Sequence, residues 1–125
     1  MKPGAIVHIE LPTDDPAMSA QFYQEVFGWS IQRDEGLDYT MFDSGPVGGG
    51  FTPVNEETGA SRIRPGDILL YLASDDIEAD MQQVEAAGGK PLIGRTEIPN
   101  TGWWAIFEDP SGNRIALYTS MNPGT

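Results

Sequence analysis

Residues 15–28 read DPAMSAQFYQEVFG, and this stretch carries the signals of a complete helix. Asp15 is a typical N-cap residue, and Pro16 follows it at the first helical position. Apolar residues then recur at helical spacing until Gly28, a residue that commonly ends helices. The stretch predicts a helix over 16–27.

Residues 75–88 read DDIEADMQQVEAAG and show a second stretch of the same kind. Asp75 is followed three residues later by Glu78, the spacing of a capping box, and Gly88 closes the stretch. We predict a second helix over 76–87 with Asp75 as its N-cap.

A constant offset of 60 residues relates the two halves of the chain, pairing Asp15 with Asp75 and the strand that contains His8 with the strand that enters at Ile68. Each half therefore has the predicted order βαβββ. The fold class is α+β, with two such modules, 1–55 and 66–120, joined by a polar linker in one domain of 125 residues. We expect each module to form a curved mixed sheet with its helix on the outer face, and the two sheets to enclose a cleft. The predicted strands lie near 5–11, 29–33, 38–44 and 47–54 in the first module, and near 67–73, 90–96, 102–109 and 113–119 in the second.

Composition excludes several classes of function. The chain has 19 acidic and 7 basic residues, a net charge of −12, which would repel nucleic acid and anionic membrane surfaces. It has no cysteine, so disulfides, thiolate metal sites and cysteine nucleophiles are excluded. No apolar stretch is long enough to span a bilayer, and the first residues do not resemble a signal peptide. We expect a cytoplasmic protein.

The first strand brings two polar side chains to one face. Along residues 5–11, Val7, Ile9 and Leu11 alternate with His8 and Glu10. His8 is the only histidine of the chain, and histidine is the side chain that ordinarily exchanges a proton near neutral pH. It is either a hydrogen-bonded structural residue or a residue that contacts a ligand or acts in acid and base catalysis. Glu10 either acts as a base or meets solvent at the mouth of the cleft.

These motifs, taken together, resemble the vicinal oxygen chelate superfamily, which contains glyoxalase I, extradiol dioxygenases and bleomycin-resistance proteins. The similarity is greatest to the branch of predicted lactoylglutathione lyase-related proteins, and it covers nearly the whole chain. The residues that carry it are HIEL (8–11), Asp15-Pro16, Phe22-Tyr23 and VFGW (26–29) in the first half, and DDIEA (75–79), AAGGK (86–90) and WWAIFEDPSGN (103–113) in the second.

The resemblance implies a metal site with a ligand on the first strand and a carboxylate on the last strand of each half. His8 occupies the first of these positions, but Ile68 stands at its repeat partner. The last-strand positions fall near Gly50 or Phe51 and on Ala116. Since a divalent cation needs three or more protein ligands, we expect no metal ion and no other cofactor.

A metal-independent site for a small molecule is the first hypothesis. In addition to His8 and Glu10, we expect Met41, Phe51, Ile68 and Leu70 to line it, together with Trp103 or Trp104. The two tryptophans are consecutive on a strand and must point to opposite faces, so one enters the cleft and the other packs elsewhere. Aromatic walls suit flat or cationic ligands.

The run Gly48-Gly49-Gly50 is not a phosphate loop, because it lacks the lysine of a Walker motif and does not lead into a helix. We interpret it as a flexible strand edge that a ligand or another backbone can approach closely.

Two other functions stay open from the sequence. One is a metal-dependent lyase or dioxygenase with ligands other than those matched above, and the other is a structural or regulatory module with a vestigial cleft. The expected partners are a small-molecule ligand, cationic or aromatic, and a second copy of the chain in a homodimer. The sequence does not identify the substrate or ligand.

Overall fold

A computed structural model describes residues 2–56 and 59–121. It has two compact units, which we call the N-unit (residues 8–69) and the C-unit (residues 1–7 and 70–125). The elements are β1 (Ile6–Thr13), α1 (Pro16–Phe27), β2 (Ser30–Asp34), β3 (Tyr39–Asp43), β4 (Gly48–Pro53), β5 (Leu69–Ala73), α2 (Ile77–Ala86), β6 (Lys90–Ile98), β7 (Gly102–Glu108) and β8 (Arg114–Ser120). Within the described residues, neither helix is long and apolar enough to cross a membrane.

The predicted α+β fold of two βαβββ modules is confirmed. In the N-unit the strands lie in the order β2-β3-β4-β1, and in the C-unit they lie in the equivalent order β6-β7-β8-β5. In each unit the first and last strands are parallel and the remaining neighbours are antiparallel. The linker between the modules includes Glu57 and Thr58, which lie outside the described residues.

Helix α1 has the predicted bounds because the residues predicted to start and end it do so in the structure. The Asp15 carboxylate accepts a hydrogen bond from the Met18 amide at 3.1 Å, and Gly28 ends the helix with a φ of +71°. The helix packs on one face of the N-unit sheet. Its core consists of Ala20, Phe42 and Phe51, with Ile9, Leu11, Tyr23, Trp29 and Ile31 packed against them.

The predicted N-cap of the second helix was wrong by one residue. Asp76, not Asp75, caps α2, and its carboxylate accepts from the Ala79 amide at 3.1 Å. The side chain of Ser74, two residues before Asp76, explains the difference. Ser74 Oγ accepts from the Asp76 amide at 3.2 Å and donates to Asp80 at 2.6 Å, which places Asp76 at the helix start.

The same hydrogen bonds occur before α1, where Thr13 Oγ1 accepts from the Asp15 amide and bonds to Ser19. Thr13 and Asp15 therefore correspond to Ser74 and Asp76, an offset of 61 residues rather than 60. Gly28 and Gly88 both have positive φ and keep the offset of 60. Gly28 is the C-cap of α1, whereas Ala87, one residue before Gly88, is the C-cap of α2. Helix α2 therefore has 10 residues, one fewer at each end than the predicted 76–87.

This offset changes the repeat partner of His8 from Ile68 to Leu69, so the predicted partner was wrong. The strand pairings agree, since Glu10 lies opposite Gly50 as Tyr71 lies opposite Ala116. A leucine, like an isoleucine, has no atom that can ligate a metal ion.

We expected the glycines at 48–50 to lie at a flexible strand edge. They do not, because β4 is flanked by β3 and β1. A Cβ built on Gly49 would be 1.9 Å from the Ile9 carbonyl oxygen and 2.5 Å from the Phe42 ring. Gly49 is thus required by close packing on the α1 side of the sheet.

Candidate functional site

His8 and Glu10 lie on the face of the N-unit sheet that is opposite α1. Ile9 and Leu11, their neighbours in β1, pack into the core beneath the helix, so the alternation of the strand turns the two polar side chains the other way. The His8 side chain is 29% exposed and the Glu10 side chain 13%. A small molecule in solvent can therefore reach the imidazole.

Glu10 is the centre of a hydrogen-bonded cluster of four side chains, which we call the Glu10 cluster: His8, Glu10, Tyr39 and Thr52. Glu10 Oε1 is 2.6 Å from the Tyr39 hydroxyl and 3.1 Å from His8 Nε2. Glu10 Oε2 accepts a hydrogen bond from the Thr52 hydroxyl. His8 Nε2 also lies 2.9 Å from the Tyr39 oxygen, which completes a triangle of three polar groups.

Tyr39 and Thr52 were not among the residues expected from the sequence. They belong to β3 and β4, and they reach Glu10 only because β4 lies between β3 and β1 in the sheet. Their separations from Glu10 along the chain, 29 and 42 residues, leave no local sequence signal. Knowledge of the strand register would have identified both, because all four side chains then share one face.

Glycine at position 50 makes room for Tyr39. Gly50 lies opposite Glu10 on one side and opposite Met41 on the other. A Cβ built on Gly50 would be 1.7 Å from the Tyr39 hydroxyl oxygen and 1.9 Å from the ring carbon that bears it. Any side chain at position 50 would therefore displace Tyr39 from the cluster.

Met41 lies on the same face of the N-unit sheet as His8 and Glu10, and its part in ligand binding stays a prediction. The strand between them carries Gly48 opposite His8 and Gly50 opposite Met41. Between β1 and β3, β4 therefore carries no side chain at positions 48 and 50, and we call this stretch the floor. The Tyr39 ring of β3 lies over Gly50. Beside the Glu10 cluster the floor therefore consists of backbone and the Tyr39 ring.

Phe51 and Ile68 lie elsewhere in the N-unit. Phe51 is 1% exposed and belongs to the core beneath α1, on the face opposite the Glu10 cluster. Both residues line a separate cavity of about 190 Å³ on that side. The rest of its lining is Leu11, Pro12, Ser19, Tyr23, Pro65 and Gly66. The part that Phe51 and Ile68 were expected to take in ligand binding stays a prediction.

The C-unit contains the other three residues that were expected to bind a ligand. Trp103 packs against the cluster of Ile77, Met81, Ala105 and Leu117 at α2, and the Arg95 guanidinium lies 4.2 Å from the centre of its ring. Trp104 therefore points to the opposite face of that sheet. Leu70 shares a face with Leu72, which packs on the α2 side. The part that Trp103, Trp104 and Leu70 were expected to take in ligand binding stays a prediction.

The donor set around His8 does not fit a divalent metal ion. Within residues 2–56 and 59–121, no three or more histidine, cysteine, aspartate or glutamate side chains converge as a metal site requires. His8 and Glu10 offer two donors, and both Glu10 oxygens already accept hydrogen bonds from neighbouring side chains. The position that pairs with Glu10 across the sheet is Gly50, which has no donor and whose side-chain space Tyr39 fills.

Residues 5–117 match the family model described as Glyoxalase/Bleomycin resistance protein/Dioxygenase superfamily. The chain is 31% identical over 133 aligned positions to the anthracycline biosynthesis protein DnrV of Streptomyces peucetius. The alignment covers 93% of this chain and 47% of DnrV, so the chain spans about half the length of that relative.

Solved structures show the same fold at low sequence identity. The hypothetical protein BH1468 of Bacillus halodurans C-125 superposes with a TM-score of 0.74 at 13% identity, over 99% of each chain. A glyoxalase/bleomycin resistance protein/dioxygenase superfamily member of Vibrio splendidus 12B01 superposes with a TM-score of 0.64 at 16% identity, over 94% of this chain and 99% of the other.

Proposed function

Because the chain belongs to the Glyoxalase/Bleomycin resistance protein/Dioxygenase superfamily, we propose that it is a small-molecule-binding protein of that superfamily that works without a metal ion. The ligand contacts the Glu10 cluster and the floor beside it. The observation that carries this proposal is the position of Tyr39. Its hydroxyl fills the space above Gly50 and bonds to Glu10, so a hydroxyl stands where a third metal donor would be needed.

A flat aromatic ligand suits this surface. Gly48 carries no side chain on the floor, and the Tyr39 ring, which lies over Gly50, offers a face for stacking. DnrV, which is similar to this chain over about half its own length, is named for the biosynthesis of anthracyclines, and these are flat fused-ring molecules. A three-ring aromatic compound is therefore the appropriate first probe.

The test combines metal analysis with ligand binding. The purified protein is incubated with Zn²⁺, Ni²⁺, Mn²⁺ or Fe²⁺, dialysed, and its metal content measured by mass spectrometry. We expect less than stoichiometric metal that is unchanged in His8→Ala. Near-stoichiometric metal that is lost in His8→Ala would overturn the proposal and favour a metal-dependent lyase or dioxygenase.

Ligand binding is measured by the fluorescence anisotropy of 9-anthracenemethanol, a neutral three-ring compound. We expect saturable binding that weakens in His8→Ala and is unchanged in the control Thr40→Ala. Thr40 is the neighbour of Tyr39 and lies on the opposite face of β3. Equal binding by both variants would show that the compound binds away from the Glu10 cluster.

We also propose that two copies of the chain pair through α1. Met18, Phe22 and Val26 form one stripe of this helix, and each is more than half exposed. Glu25 is the only charged residue of α1, whereas the shorter α2 carries Glu78, Asp80 and Glu85. A second copy, which shares the net charge of −12, meets little repulsion at this surface, whereas a basic partner would be drawn to the acidic surfaces instead.

A further inference from the structure

The directions of the hydrogen bonds in the Glu10 cluster select the chemistry of the ligand. Resting on the proposed function, we infer that the site recognises a ligand through a hydrogen-bond donor, above all a protonated amine, and discriminates against carboxylates. The Glu10 cluster meets one polar group of the ligand, whatever the aromatic part of the molecule is.

The two hydroxyl groups of the cluster have already donated their hydrogens. A carboxylate accepts hydrogen bonds and has none to donate. In the contacts of Glu10 with Tyr39 and Thr52, the hydroxyl must therefore be the donor in each case. Each hydroxyl has a single hydrogen, so neither can donate to a ligand while it is bound to Glu10.

The same reasoning assigns the hydrogen on the His8 ring. Nε2 lies 3.1 Å from Glu10 Oε1, and two acceptors cannot bond to each other, so Nε2 carries the hydrogen. The Tyr39 oxygen, 2.9 Å away, has given its own hydrogen to Glu10 and accepts from Nε2. In this arrangement the hydrogen on His8 Nε2 is shared between Glu10 Oε1 and the Tyr39 oxygen, and all three contacts of the triangle are satisfied.

What the cluster presents to a ligand is acceptor capacity. Glu10 Oε2 receives one hydrogen bond in the cluster, and the Thr52 hydroxyl oxygen that donates this bond keeps its own lone pairs. An ammonium group brings hydrogens and a charge opposite to that of Glu10. The oxygens of a ligand carboxylate are acceptors, so they would face the acceptor oxygens of the cluster with no hydrogen between them. They would also add a second negative charge beside Glu10, whose side chain is only 13% exposed, and this is unfavourable.

The experiment compares three anthracenes that differ in one group: 9-anthracenemethylamine, 9-anthracenemethanol and 9-anthracenecarboxylate. Their dissociation constants are measured at pH 8 by fluorescence anisotropy at two salt concentrations. We expect the order amine, alcohol, carboxylate, with the amine about tenfold to a hundredfold tighter than the alcohol because its hydrogen bond is charge-assisted. Salt should weaken the amine most.

Variants locate the preference. Glu10→Gln should reduce the ratio of amine to alcohol affinity to near one, while Glu25→Gln on α1, with the same change in charge, should leave the ratio unchanged. Thr52→Val is a second variant that keeps the Glu10 carboxylate, and it should retain the preference for the amine. Its retention tests the inference even where Glu10→Gln unfolds.

Three outcomes decide between the inference and the proposed function. Equal binding of all three compounds, or tightest binding of the carboxylate, would overturn the inference and leave the small-molecule site standing. A preference for the amine that falls equally in Glu25→Gln would assign it to the overall charge and overturn the inference as well. No binding of any of the three would contradict the proposed function, and the inference with it.

Discussion

The hydroxyl oxygen of Tyr39 lies 1.7 Å from the point at which a Cβ of residue 50 would stand. Glycine at this position is therefore a requirement of the Glu10 cluster rather than a consequence of strand flexibility. The same tyrosine bonds to Glu10 at 2.6 Å, so the packing at Gly50 and the polar contacts of the site depend on each other.

Gly50→Ala should displace Tyr39 and loosen the cluster. Overpacking of this kind lowers the free energy of unfolding by about 1–3 kcal/mol. Tyr39→Ala in the same chain removes the clash, so the double variant should lose less stability than the sum of the two single changes. Urea denaturation of the four proteins measures the coupling, and strictly additive losses would contradict the contact.

Gly94→Ala is the matched control for that cycle. Gly94 also lies in a strand, and a Cβ there meets no atom within 4 Å. We expect it to change the free energy of unfolding little, or to raise it slightly through the lower entropy of the unfolded chain.

Thr52→Val should destabilise the protein by about 1 kcal/mol or more, because it removes the hydrogen bond to Glu10 Oε2 while keeping the size of the side chain. Thr96→Val is the control, since Thr96 is exposed and its hydroxyl donates to the Gly94 carbonyl oxygen at 2.8 Å. Thermal unfolding of both variants gives the comparison. A loss in Thr96→Val as large as in Thr52→Val would argue against a structural role for the cluster.

Local signals in the sequence predicted the fold well. The bounds of α1 were predicted correctly because Asp15, Pro16 and Gly28 start and end the helix through contacts with residues close to them in the chain. The cap of α2 was misplaced because two aspartates stand side by side, and the choice between them depends on the hydroxyl of Ser74. A one-residue error there was enough to misassign the repeat partner of His8.

The site was predictable only in part. His8 and Glu10 share a face by simple alternation along β1, which the sequence shows. Tyr39 and Thr52 join them through strand pairings between distant segments, and a shift of one residue in register would turn both to the other face. No pattern within either strand distinguishes these two side chains from others of the same type.

The cap assignment of α2 can be tested directly. Asp76→Ala should cost about 1 kcal/mol of stability, because the Ala79 amide loses its acceptor at the helix start. Asp75→Ala, the change at the exposed neighbour, should have little effect. Urea midpoints of the two variants decide the matter, and a greater loss in Asp75→Ala would restore the cap predicted from the sequence.

The turn after β7 makes stability depend on pH. Hydrogen bonds from the Asn113 side chain and amide, and from the Ser111 amide, lower the pKa of Asp109. A lowered pKa in the folded state stabilises the fold at pH values above the unfolded pKa, which is about 3.9 for aspartate. This contribution is lost as pH falls through the folded value.

Asp109→Asn should therefore be less stable than the natural sequence at neutral pH, and the difference should shrink below about pH 4. The urea midpoints of the two proteins between pH 3 and pH 7 measure it. Asp75→Asn is the control for a change in net charge. A difference that stays constant across this range would exclude the Asp109 carboxylate as its source.

The exposed stripe of α1 predicts the response of the oligomeric state to a single charge. Phe22→Glu would place a carboxylate from each copy in the centre of the proposed contact, where like charges cost several kcal/mol. We expect the dimer dissociation constant to rise about a hundredfold or more in analytical ultracentrifugation. Leu37→Glu, at another exposed apolar residue of the N-unit, should leave it unchanged. A natural chain that sediments as a monomer, or equal dissociation in both variants, would rule out pairing through α1.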